Sequence, residues 1–300
     1  MLEPRFQELA DLVSAHPPVS VAVAYPCSVP AIKAALMAGQ AGIVRPILVG
    51  HEKRIRTLAE DNGLELGDCL LHDVQDDPLQ AAWAAVELCR RGEAGMLAKG
   101  SLHSDELLSA VIRREAGLRT ERRISHAFVF EVPGSSKWLL MADCVVNIAP
   151  NLMEKRDIIQ NAVDLARRLS ISRPSVAVLS AMEMVNPAIP STIEAAALSK
   201  MAERGQITGA IVDGPLAFDV AASSEAAAIK GLARPGGDPD IFIVPNIEAG
   251  NMLYKQFVHI TGAECAGLVL GAQVPIVLTS RADSLTTRIA SYALAGMMAQ

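Results

Sequence analysis

Short apolar runs rich in β-branched residues alternate with longer segments of helical period along the first 120 positions. VSVAVAY (19–25) precedes VPAIKAALMAGQ, which carries Pro30 near its start. IVRPILVG precedes HEKRIRTLAEDNG, a helical pattern stopped by Gly63. CLLHDV leads to LQAAWAAVELCRRG, again ended by glycine, and GMLAKG leads to SDELLSAVIRREAG. Strand and helix in this order predict right-handed βαβ units on a parallel sheet.

The rhythm changes near residue 125. HAFVFEVPGSSKWLLMADCVVNI predicts two antiparallel strands around the turn Pro133-Gly134-Ser135-Ser136. Alternation then resumes. Helices are predicted at 153–170, 191–204, around 223–231 and at 247–261, with strands SVAVLS, ITGAIVDG and DIFIVPN between them. AGLVLG and VPIVLT are the last strands, before a final helix at 284–299. The pattern predicts an α/β protein with parallel and mixed sheets in two domains. Residues 1–128 with about 270–300 form the first, and 129–269 the second.

Composition agrees with this architecture. Of 300 residues, 51% are hydrophobic and 4% aromatic, so small aliphatic side chains suited to helices on a sheet dominate. The net charge of −6 comes from 27 basic and 33 acidic residues, without a basic face, which argues against nucleic-acid binding. Five isolated cysteines (27, 69, 89, 144, 265) form no CxxC or metal spacing, as expected of a reducing cytoplasm. No apolar run reaches the roughly 18 residues of a membrane span, and the opening residues lack a signal peptide's apolar core. No metal site is expected.

Dinucleotide, P-loop, nucleophile-elbow and HExxH motifs are all missing. The informative stretch is VPIVLTSRADSLTTR (274–288). A strand ends at Thr279, Ser280 and Arg281 make a tight turn, and Asp283 or Ser284 caps the following helix. Open α/β sheets bind ligands beyond their strands' carboxyl ends, where helix N-termini favour anions. Thr279, Ser280 and Ser284 add hydroxyls, and Arg281 a planar fork for phosphate. The same pattern also describes an ordinary capped helix with a surface arginine.

Two further clusters stand out. In DIFIVPNIEAGNMLYK (240–255), Gly250 and Asn251 are poor helix formers in a first turn, and imply close approach of a neighbouring element or a ligand. Asn246, Glu248, Asn251 and Lys255 are the polar candidates there. Glu248 equally suits a helix dipole, and Lys255 an exposed surface. In MADCVVNIAP (141–150), Cys144 ends an apolar strand, where a small buried hydrophobe is a commoner role than a nucleophile.

Together KGSLHSDELLSAVIRREAGLR (99–119), DCVVNIAPNLMEKRDIIQNAV (143–163), DGPLAFDVAASSEAAAIKG (213–231), PNIEAGNMLYK (245–255) and VPIVLTSRADS (274–284) resemble the phosphate acetyl/butyryltransferase family. The TSRADS and NIAP segments match the butyryl branch better. The resemblance implies a two-domain fold like isocitrate and isopropylmalate dehydrogenases, with the active site in the interdomain cleft and a homodimer as the usual assembly. It implies transfer of a short acyl group between coenzyme A and phosphate by direct attack in a ternary complex, with no tightly bound cofactor. Ser280 would contact the reacting groups, and Arg281 would hold phosphate and coenzyme A. Cys144 would lie near the site without acting as a covalent nucleophile.

The chain departs from the acetyl branch at three places. Thr287 stands where that branch has an aspartate base, His259 where it has an arginine, and Ser109 near another arginine. Asp283 is the nearest carboxylate to Ser280, and could take the thiol proton or cap the helix. The alternatives are an NAD(P)-dependent β-decarboxylating dehydrogenase, for which Tyr254-Lys255 offer an acid–base pair but no aspartate cluster a metal site, and a non-catalytic acyl-CoA-binding protein.

Overall fold

The computed structural model of the chain describes residues 2–67, 69–232 and 238–300. It begins with α1 (Pro4–Ser14), β1 (Val19–Ala24), α2 (Val29–Gln40), β2 (Val44–Gly50), α3 (Glu52–Asp61), β3 (Leu70–Asp73), α4 (Pro78–Arg90), β4 (Met96–Lys99) and α5 (Ser104–Val111). A hairpin of β5 (Ser125–Glu131) and β6 (Leu139–Ala142) follows, then α6 (Leu152–Arg168), β7 (Ser175–Leu179), α7 (Pro190–Glu203), β8 (Ile211–Leu216), α8 (Phe218–Ala222), α9 (Ser224–Ile229), β9 (Ile241–Ile243) and α10 (Ile247–His259). The chain closes with β10 (Glu264–Leu270), β11 (Ile276–Val277) and α11 (Leu285–Ala299). These elements make two compact units, residues up to 122 with 266–300, and residues 123–265.

In the first unit the strands lie in the order β3-β2-β1-β4-β11-β10. β1 through β4 and β11 run parallel, and β10 is antiparallel to β11. β1 and β4 are buried almost throughout, as central strands of an apolar sequence must be. β3 lies at the end of the order and is mostly exposed. α4 packs on β1 and β2 and against α5, while α11 packs on β2 and β4 and against α1 and α2. The strand order reverses at β1 and β4, the kind of position where open α/β sheets bind ligands beyond their strands' carboxyl ends.

In the second unit the order is β5-β6-β9-β7-β8. The β5–β6 pair is antiparallel and the rest parallel. Its turn is closed by the Ser135 amide, which donates to the Val132 carbonyl at 3.0 Å. Phe128, Phe130, Met141, Cys144, Phe242 and Phe257 are central to its apolar core. α6 starts at a capping box in which Asn151 Oδ1 accepts from the Met153 and Glu154 amides. The helix expected around 223–231 is α9, and the short α8 before it was not expected. Ser223 sits between them in extended conformation and its hydroxyl caps the second. Among the described residues no helix is long and apolar enough to cross a membrane, and none of the five cysteines is in a disulfide.

Candidate active site

β11 runs in register with β4, with Ile276 opposite Leu97 and Val277 opposite Ala98. The two strands therefore end on the same edge of the sheet. Beyond β11, Leu278 and Thr279 are buried, and the chain then surfaces at Ser280 and Arg281. The Ser284 hydroxyl caps α11 by accepting from the Thr287 amide at 3.0 Å. This corrects the expectation that Asp283 could be the cap. Asp283 Oδ2 instead accepts the Ser280 amide at 2.6 Å, and Ser280 Oγ accepts the Ala282 amide at 3.3 Å. Amides expected to face an anion are thus partly consumed inside the turn. The Ser280 hydroxyl proton remains available to donate.

Arg288, on the first turn of α11 and 6% exposed, holds this turn from beneath. Its Nη1 donates to Thr279 Oγ1 at 2.9 Å, Nη2 to the Ser280 carbonyl at 2.6 Å, and Nε to the Asp283 carbonyl at 3.4 Å. Thr279, predicted to face a ligand, spends its hydroxyl oxygen on this arginine. Arg281 is exposed, with Nη2 3.3 Å from His103 Nε2. A guanidinium only donates, so that ring nitrogen accepts.

β4 brings Lys99 to the same edge, 6% exposed, with Nζ 3.3 Å from the Leu102 carbonyl. Burial pushes its pKa down, the charges of Arg288 and Arg281 push the same way, and Asp283 opposes them. Gly100 follows because no larger residue fits. A Cβ there would strike the carbonyl oxygens of Ala24 and Tyr25, and the Gly100 and Ser101 amides donate to those same two oxygens. The Ser101 hydroxyl is buried without a partner. Lys99, Ser101, His103 and Arg288 were not singled out from the sequence. The signal was present only as the KGSLHS segment, since burial of two cations is invisible in a linear pattern.

The remaining candidates lie in the second unit. Asn246 caps α10, its Oδ1 accepting from the Ala249 amide at 3.0 Å. Glu248, Lys255 and His259 are exposed, and Asn251 Nδ2 reaches the Cys144 carbonyl at 3.5 Å. At 100° per residue, positions 248, 251, 255 and 259 form one stripe of α10. Gly250 lies on another face, where an added Cβ would come 2.8 Å from Val244 Cγ2 and 3.0 Å from the Asp143 carbonyl oxygen and from Cys144 Cα. Its small size thus serves packing. Cys144 is fully buried, and burial pushes its thiol well above the ordinary range. Beside it Asp143 accepts from the amides of His126, Val145, Val146 and Asn147 and from Asn147 Nδ2, although burial raises its pKa.

Thr287 is buried and its hydroxyl oxygen accepts from Ser284 Oγ at 3.0 Å, so it belongs to the cap. Ser109 is exposed and donates to the Glu106 carbonyl within α5. Among the described residues no cluster of His, Cys, Asp and Glu could hold a metal ion.

Fold and turn define the class: an α/β protein presenting hydroxyls and cations together at the carboxyl ends of parallel strands. Residues 71–296 match the family described as Phosphate acetyl/butaryl transferase, and the chain belongs to that family. It is 50% identical to a phosphate acetyltransferase of Rhizobium meliloti over 98% of this chain and 93% of the relative. It is 41% identical to a phosphate butyryltransferase of Clostridium acetobutylicum over 98% of both chains. A branched-chain phosphotransacylase structure from Enterococcus faecalis superposes with a TM-score of 0.79 at 30% identity, covering 94% of this chain and 99% of that one.

Proposed function

We propose that this protein moves a short acyl group between coenzyme A and inorganic phosphate, with Ser280 and Arg281 on the reacting groups. The observation that carries the reading is the Ser280–Arg281 turn, braced from inside by Asp283 and Arg288, beside a second buried cation, Lys99. Among the described residues none of the three cations makes an ion pair with a carboxylate. Positive charge left unmatched at a strand edge suits a phosphate dianion.

In the acyl phosphate direction a phosphate oxygen attacks the thioester carbonyl. The new C–O bond forms as the C–S bond breaks, and coenzyme A leaves as a thiolate that then takes a proton. Arg281 would hold the incoming phosphate, and the Ser280 O–H would donate to the carbonyl oxygen as it gains charge. Asp283, with an oxygen on the Ser280 amide, acts as a brace. In the same reading Asn246, Glu248, Asn251, Lys255 and His259 of α10 and Cys144 beneath it belong to the binding of coenzyme A and the acyl group. The family resemblance supports a fold of the isocitrate and isopropylmalate dehydrogenase kind and a cytoplasmic homodimer with no tightly bound cofactor. Segment wording points to the butyryl branch, but relatives named acetyltransferase stand at 40–50% identity and those named butyryltransferase at 39–41%. Chain length is therefore a matter for measurement.

Thiol release from acetyl-, propionyl- and butyryl-CoA, with and without phosphate, tests the reading. Phosphate-dependent release is expected with at least one of the three, and Arg281→Ala should lower turnover about 10²–10³-fold. Absence of phosphate-dependent release from all three would overturn the transfer reading. Normal turnover by Arg281→Ala would remove that residue from the site.

A further inference from the structure

We infer that Lys99 is a phosphate-contacting residue, the buried partner of Arg281, and that its ammonium is matched by the arriving dianion. The inference rests on the acyl-transfer reading for the identity of the anion. Four observations converge on it. Lys99 ends β4 at the edge where the Ser280 turn leaves β11, and continuing the strand register by one residue sets Leu278 level with it. Only 6% of it is exposed, yet of its three N–H donors one is placed, on the Leu102 carbonyl at the long distance of 3.3 Å. Among the described residues it has no carboxylate partner. Two residues on, the Ser101 hydroxyl is buried and unpartnered.

A purely structural lysine would be an odd choice here. A buried ammonium without a counter-ion is costly, and any apolar side chain of similar length would fill the space better. Arg288 spends three of its five N–H donors on Thr279, Ser280 and Asp283, so its guanidinium is held in place as the clamp of the turn. Arg281 is exposed and engages His103. Lys99 is therefore the buried cation that holds no part of the turn and has two of its three donors unplaced. The charged groups acting on it are Arg288, Arg281 and Asp283, the two arginines lowering its pKa along with burial and Asp283 raising it. A bound dianion adds negative charge and favours the ammonium, so phosphate binding takes up a proton. Affinity for phosphate then weakens as pH rises through the lowered pKa of Lys99.

The test compares wild type, Lys99→Met and Lys99→Arg, using inorganic phosphate as the probe. Lys99→Met should raise the KM for phosphate by about 10–100-fold, the loss of a charge-assisted contact, with the KM for acyl-CoA changed much less. Without phosphate Lys99→Met should melt at or above the wild-type temperature, because an unmatched buried charge has gone. Phosphate should raise the wild-type melting temperature and leave that of Lys99→Met unmoved. Lys99→Arg, charged at every pH, should remove the alkaline weakening of phosphate affinity. A phosphate KM within about twofold of wild type in Lys99→Met, or equal thermal protection by phosphate in both proteins, would overturn the inference. If wild type is protected by phosphate and Lys99→Met is not, yet no acyl-CoA is turned over, the acyl-transfer reading fails while the phosphate contact stands.

Discussion

Asp283 and Ser284 are adjacent, both belong to the residue types that cap helices, and only one can occupy the capping position. Backbone angles decide it: Ser284 takes the extended conformation at φ −63° and ψ 161°, and its hydroxyl receives the Thr287 amide. That choice frees the Asp283 carboxylate to hold the Ser280 amide at 2.6 Å. A linear pattern could name both residues but not assign them. Arg288 illustrates the converse, a residue that looks like an ordinary helical arginine until the chain folds back over it. The brace role predicts that Asp283→Asn keeps an oxygen acceptor for the Ser280 amide but loses the charge that strengthens it. Turnover should fall by about tenfold, the order of one charge-assisted hydrogen bond, with the limbs of the pH–rate profile unmoved. A displaced limb would instead make Asp283 the group that accepts the thiol proton.

Elements were read well wherever period, cap and breaker agreed. The βαβ rhythm of the first 110 residues and the β5–β6 hairpin are of this kind. α9 was foreseen but the short α8 before it was not, because Ser223 divides a segment of helical propensity and its capping hydroxyl acts only once the backbone there is extended. In α10 the sequence showed two poor helix formers in the first turn without saying what they approach. Gly250 fits against Val244 and the backbone of Asp143 and Cys144. Alanine there adds about 1 kcal/mol of helix propensity, but backbone and a β-branched side chain must move to admit its methyl, at about 1–3 kcal/mol. Gly250→Ala should therefore lower the melting temperature by a few degrees. A variant more stable than wild type would show that α10 slides freely and that the close fit is not selective.

For the molecule as a whole, net charge conceals local balance. The chain carries −6, yet among the described residues its candidate site gathers cations without ion-paired carboxylates, and the second unit buries a histidine whose ring nitrogens have no hydrogen-bond partner. His126 lies on β5 with its ring 4.4 Å from that of Phe128, which in turn stacks on Tyr254 at 4.0 Å. Both ring nitrogens lack hydrogen bonds, and burial pushes its pKa down from 6.5 to about 3. Alternation along β5 places His126, Phe128 and Phe130 on one face of the strand. That this face is buried, and leaves both ring nitrogens unpartnered, became visible only in the folded chain. The folded chain keeps this ring neutral down to about pH 3, while the unfolded chain protonates it below about 6.5. Stability from this group is thus fully present above 6.5 and is lost as pH falls towards 3. Between pH 7.5 and 5.0 the loss amounts to about 2 kcal/mol, at roughly 1.4 kcal/mol for each unit below 6.5. His126→Phe keeps the aromatic contact and removes the titration. Urea unfolding at both pH values should show the wild type losing about 2 kcal/mol more than the variant on acidification. Equal losses would mean that His126 takes up its proton without opening the fold, through contacts that neutral geometry does not display.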